Sequence, residues 1–128
     1  MTSRTIIGID LGTTHTVLAY AAGDRAPQVF SVPQLVAQGQ LGSRVLLPSC
    51  LYAPLEMERP EERWLSRSTC SSGSWLVGEH ARARGGEVSQ RLVSSAKSWL
   101  CHGQVDRRAA ILPWKLAGDP GAGDGADD

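Results

Sequence analysis

The chain has 128 residues, 41% of them hydrophobic, and its thirteen basic and thirteen acidic side chains cancel. That is enough for one domain, or part of one, with a real core, and too little for two well-buried ones. The neutral balance excludes the strongly basic surface of a nucleic-acid binder or of a protein held on anionic lipid.

The N-terminus runs into the short apolar segment Ile6 to Ile9 and stops at Asp10, too brief for a signal h-region or a membrane span, so a cytoplasmic location is expected. Cys50, Cys70 and Cys101 are odd in number and far apart, with no metal-ligand spacing, and read as reduced packing residues. Eleven of the thirteen basic residues are Arg, which leaves Lys97 and Lys115 as the two lysines to account for.

In chain order, residues 5 to 9 and 16 to 21 are two apolar, β-branched runs around Asp10, Leu11, Gly12, Thr13, Thr14 and His15, the pattern of a hairpin closed by a glycine-containing loop. Asp10 would end a buried strand. Gly23, Asp24 and Pro27 mark a turn, Gln28 to Val32 a third strand limited by Pro33, and the three together an antiparallel meander. Ala37 to Arg44, with two glycines, reads as a loop, and Cys50 to Ala53 as a further strand after Pro48.

From Pro54 to Ser74 the sequence is polar and turn-rich and is expected to be an exposed excursion before Trp75, Leu76 and Val77 resume an apolar run. Gly78 to Arg84 suits a short helix ended by Gly85 and Gly86. Val88, Leu92, Ala96 and Trp99, at spacings of four, four and three, predict the longest helix, Glu87 to Leu100. Gly118 to Asp128 has four glycines, four aspartates, one proline and no apolar residue larger than Ala, and is expected to be disordered. No closing structural element precedes that tail, as in a truncated chain.

The chemistry sits at the first turn. A carboxylate, a glycine and three hydroxyls follow one another, and such a turn can offer backbone N–H groups and hydroxyls to phosphate oxygens. Asp10 beside phosphates is tolerable only with a cation such as hydrated Mg²⁺ between the negative groups. The alternative reading is a hairpin turn in which Thr and Asp satisfy local backbone groups.

The segment IGIDLGTTHTVLAY resembles the first phosphate motif of the 70-kDa heat-shock (DnaK-type) chaperones, within the actin, sugar-kinase and heat-shock ATPase superfamily. Leu47-Pro48-Ser49, Trp75 to Ala81 and Ser95 to Leu100 are similar to three later segments of that family in the same order. The resemblance covers roughly residues 5 to 115.

It implies an α/β fold: a partial actin-like, ribonuclease H-like lobe over residues 1–116, a mixed sheet with an antiparallel N-terminal meander and flanking helices. An insertion would lie near 54–74 and a Gly/Asp-rich tail at 117–128. It implies ATP or ADP with Mg²⁺, phosphate contacts from Gly12, Thr13, Thr14 and His15, and Asp10 organising Mg²⁺ through water. Lys97 would reach the terminal phosphate and the attacking water. In the full-length family, ATP hydrolysis is coupled to binding of unfolded peptide segments, with a J-domain co-chaperone and a nucleotide-exchange factor as partners, and no nucleic acid or membrane.

The second phosphate motif, the adenosine-binding motif and the peptide-binding domain have no counterpart in the sequence, so the expectation is part of an ATP site, inactive alone. Two other readings stay open. One is the N-terminal lobe of a sugar-kinase-type phosphotransferase, and the other a non-catalytic remnant that binds proteins through exposed sheet edges.

Overall fold

The first two strands, β1 (Thr5–Leu11) and β2 (His15–Ala22), pair antiparallel without a break from Thr5↔Ala22 to Leu11↔Thr16. The structure, a computed structural model, describes residues 4–59, 61, 75–106 and 108. The hairpin turn is only Gly12–Thr14, tighter than the expected loop, because Asp10, Leu11 and His15 are absorbed into the strands. Gly12 makes this possible: a Cβ there would stand 2.3 Å from the His15 carbonyl oxygen.

The other edge of β2 is shared end to end. β3 (Gln28–Val29) takes Ala19 and Tyr20, and β6 (Leu47–Pro48) takes His15 and Thr16 next to the turn. The expected meander order β1-β2-β3 is present, with β6 as a fourth strand, but the third strand, expected over Gln28 to Val32, is only Gln28–Val29, and Val32 opens the next strand. β1 was expected to be buried and is not. All seven of its residues are exposed, and Ile6, Ile7, Ile9 and Leu11 keep 59 to 72% of their surface in solvent. It is an edge strand, paired only with β2 among the described residues.

β4 (Val32–Ala37) and β5 (Gln40–Arg44) form a second antiparallel pair, β5 and the connecting turn lying where the glycines of Ala37 to Arg44 had predicted a loop. Gly39 instead supplies the positive φ of 66° of a tight hairpin turn. Pro33 is accommodated inside β4 because the sheet has two strands, so β4 needs ladder bonds on one side only.

A third pair joins β7 (Cys50–Tyr52) to β8 (Leu92–Ser94), extended by a bridge from Tyr52 to Leu76. The helix predicted over Glu87 to Leu100 does not form. That segment is a 3₁₀ turn (Ser89–Arg91), β8, and one short helix, α2 (Ala96–Trp99). Its helical spacing is real, but pairing with β7 buries Val93 to 6% exposure, and tertiary context outweighs a weak helix preference. Ser95, at φ 53° and ψ 26°, turns the chain from β8 into α2.

Helix α1 (Glu79–Glu87) runs through Gly85 and Gly86 rather than stopping at them. Gly85 is required for packing: a Cβ there would lie 2.4 Å from Leu92 Cδ1. Gln34, fully buried on β4, starts the helix. Its Oε1 accepts the Glu79 N–H at 2.9 Å, and its Nε2 donates to the Leu46 carbonyl at 3.1 Å, so one amide satisfies two otherwise orphaned backbone groups.

Under α1 lies the core of Leu35, Tyr52, Leu76 and Ala81, with Leu41, Cys50, Val88 and Leu92 against it. Leu55, Met57 and the 3₁₀ turn Glu56–Glu58 open the excursion expected from Pro54, but that excursion is not exposed throughout. Pro54 and Glu58 are buried, and the remainder at 60 and 62–74 lies outside the described residues, as do the tail, Lys115 and Cys70.

Glu58 Oε2 accepts from Tyr52 Oη at 2.8 Å and from the Leu55 N–H at 2.9 Å, while Oε1 is ion-paired with Arg84. Burial alone would push the Glu58 carboxyl up; the Leu55 N–H, Arg84 and Tyr52 together outweigh it and hold it below the ordinary value. The buried charge is thus compensated on both oxygens.

The architecture is mixed α/β, dominated by antiparallel pairs with few helices. Among the described residues no helix is long and apolar enough to cross a membrane.

Candidate functional site

The hairpin turn is gripped from behind by its carbonyl oxygens. Ser49, just after β6, donates its Oγ–H to the Gly12 carbonyl at 2.9 Å and its backbone N–H to the Thr14 carbonyl at 2.9 Å. Thr16 Oγ1 lies 3.1 Å from Ser49 Oγ, and because the Ser49 proton is committed to Gly12, Thr16 is the donor. The third carbonyl, that of Leu11, accepts from Lys97 Nζ at 2.6 Å.

The N–H groups are left over. The last ladder pair is Leu11↔Thr16, and among the described residues no backbone carbonyl accepts from the N–H of Gly12, Thr13 or Thr14. A turn fixed through its carbonyls with adjacent N–H groups free can take an anion. Two hydroxyls, of Thr13 and Thr14, and the Lys97 ammonium, with two further N–H donors, stand at the same turn.

Lys97 arrives through α2, whose direction is set by Ser95, and the contact with Leu11 joins positions 86 residues apart. Asp10 sits in β1 opposite Val17, exposed, two residues before the turn. Among the described residues no three His, Cys, Asp or Glu side chains converge as a metal cage.

His15 links the turn to α1. Its Nδ1 is 3.2 Å from Thr14 Oγ1 and its Nε2 is 3.1 Å from Arg82 Nη1. A guanidinium can only donate, so in this contact Nε2 is the acceptor, and Nδ1–H is then placed to donate to Thr14. The Thr14 hydroxyl then keeps its own proton for another partner.

All six residues expected at the site, Asp10, Gly12, Thr13, Thr14, His15 and Lys97, lie at or beside one turn. Two further participants were given no role by sequence reasoning. Ser49 was legible only as part of the matched Leu47-Pro48-Ser49 segment, and Arg82 had no signal beyond its place in a helix. Of the cysteines, Cys101 is exposed and Cys50 is half-buried with Sγ 3.9 Å from the Gly78 carbonyl; burial pushes the Cys50 thiol up, in spite of the nearby Arg82. A thiol so disfavoured as thiolate suits packing, as expected.

No family model matches the chain, and no solved structure matches it.

Proposed function

We propose that this chain supplies the phosphate-binding hairpin and the terminal-phosphate lysine of an ATP site of the heat-shock-70 type, within an actin-like ATPase lobe whose remaining wall comes from polypeptide outside these residues. The observation that carries the reading is the 2.6 Å contact of Lys97 Nζ with the Leu11 carbonyl. It brings together two segments, 86 residues apart, that the sequence had singled out separately for the same phosphates.

In this reading the free N–H groups of Gly12, Thr13 and Thr14 and the two threonine hydroxyls bind phosphate oxygens. Lys97, a compact charge on a long stem, stabilises negative charge that develops on the transferring phosphoryl group. Asp10 would hold Mg²⁺ through water, the ion neutralising phosphate charge when bound. In the whole protein, hydrolysis would be coupled to gripping and releasing unfolded peptide segments, and a J-domain co-chaperone and exchange factor would be partners. Alone, an open half-site binds weakly and does not turn over, because electrostatic stabilisation needs a closed, preorganised cavity.

The test is a titration of the chain with Mg·ADP followed by backbone amide NMR. Saturable shifts confined to Gly12–Thr14 and Lys97, with weak affinity, are expected. No shift at these residues at millimolar nucleotide refutes the reading.

The exposed apolar edge of β1 favours a second reading, a protein-binding module that uses this edge. Concentration-dependent self-association, with no response to nucleotide in the melt, would select it.

A further inference from the structure

A cavity of about 200 Å³ opens beside the hairpin, between β2, the β5–β6 connection and α1. Its apolar side is Val45, Leu46 and Pro48, and its polar rim is His15, Arg44, Glu79 and Arg82. Arg44 Nε is paired with Glu79 Oε2 at 3.2 Å. Arg82 is not so compensated: its contact is the His15 ring, and among the described residues no carboxylate pairs with it.

Two arginines and one glutamate leave the rim with one net positive charge. An exposed arginine is ordinarily satisfied by water; Arg82 differs in that His15 holds its guanidinium at the edge of an apolar hollow, with four of its five N–H donors uncommitted among the described residues. Pinning matters because the entropy of holding a long side chain is already spent, and a planar fork fits an oxyanion in a bidentate way.

We propose that this cavity binds a small molecule carrying one phosphate or carboxylate group on an apolar body. The oxyanion lies on Arg82 and the apolar body on Val45, Leu46 and Pro48. The volume is below the ~300–1,000 Å³ usual for drug-sized ligands, so the cavity encloses less than a whole nucleotide, and the site is additional to the phosphate turn. His15 forms the border of both.

The probes are phenyl phosphate and benzoate, with benzyl alcohol as the neutral control, titrated into the full chain and followed by NMR of the His15 ring, the Leu46 amide and the Arg82 guanidinium. At least one of the two anions is expected to give saturable shifts at these positions, and the ratio of the two affinities tells phosphate from carboxylate. Arg82→Gln should weaken that binding about tenfold while leaving the melt cooperative, and Arg82→Lys should restore part of it. No saturable shift from either anion, equal binding by the Arg82→Gln protein, or equal binding of benzyl alcohol overturns the proposal. Shifts at Gly12–Thr14 and Lys97 with Mg·ADP are read separately in the same protein, so the cavity and the nucleotide reading stand or fall independently.

Discussion

Gly85 and Gly86 are neighbours in the last turns of α1, yet replacing each with alanine should move stability in opposite directions. Alanine gains up to ~1 kcal/mol over glycine in a helix interior, and somewhat less this near the end. At Gly86 nothing lies within 4 Å of the added Cβ, so the gain is kept and Gly86→Ala should stabilise by about 0.5–1 kcal/mol. At Gly85 the methyl would stand 2.4 Å from Leu92 Cδ1 and 2.7 Å from both Cδ2 and Cγ. The whole isobutyl group must leave its place against the core, at the usual overpacking cost of ~1–3 kcal/mol. The net for Gly85→Ala is a loss of about 1–2 kcal/mol. Urea unfolding followed by tryptophan fluorescence should separate the two variants by roughly 1 M in midpoint, on an m-value of ~1–3 kcal/mol/M. Leu92→Ala in the Gly85→Ala background should recover part of the loss, a favourable coupling expected of residues in contact. If the two glycine variants fall within about 0.5 kcal/mol of each other, the packing of α1 on β8 is not as described.

Ser49→Ala removes the hydroxyl that binds the Gly12 carbonyl and accepts from Thr16, and should cost about 1–2 kcal/mol; a change below about 0.3 kcal/mol in the same urea assay would count against the clamp. In an intact protein carrying this segment, Lys97→Ala should lower ATP turnover at least ~10²-fold with little change in nucleotide affinity, because its charge acts on the transition state; unchanged steady-state turnover would remove Lys97 from the mechanism. Acidification should destabilise in two stages. Burial, aided by Arg84, pushes buried His80 below its ordinary value, so the unfolded chain takes up that proton more readily. Its contribution is intact above pH ~6.5 and is lost as the pH falls through the folded value. Glu58, also held low, adds a second loss that begins below pH ~4.3, the ordinary glutamate value. Melts of His80→Gln across this range should lose the upper stage and keep the lower.

The hairpin and its turn were legible because their cause is local: alternating apolar strands, and a glycine where the backbone must close on itself at His15. The site residues were legible as a group because five of the six are contiguous or nearly so. Helix Glu87 to Leu100 was misread because Val88, Leu92 and Ala96 satisfy a helical spacing while Leu92–Ser94 has a strand partner, Cys50–Tyr52, far earlier in the chain, which no local window contains. The β4–β5 hairpin was hidden by Gly39 and Gly42, which mark loops more often than strands. Ser49 and Arg82 escaped because their roles are tertiary, a hydroxyl meeting a carbonyl 37 residues back and a guanidinium meeting a ring 67 residues back. The exposure of β1 ran against its composition, since a strand of isoleucines is ordinarily covered.

The span of the Lys97 contact also orders events in time. The hairpin closes outward from Leu11↔Thr16, a loop that forms on the microsecond scale. Bringing residue 97 to residue 11 through an otherwise unstructured chain would cost about 2–3 kcal/mol more in closure entropy than that first pair. Pairing of β7 with β8 and the turn at Ser95 shorten that closure, so they favour delivery of the lysine. On a ribosome the turn residues emerge seconds ahead of Lys97, at ~5–20 residues per second. During that interval the Leu11 carbonyl is unclaimed by the lysine, and the apolar edge strand β1 is at its most accessible.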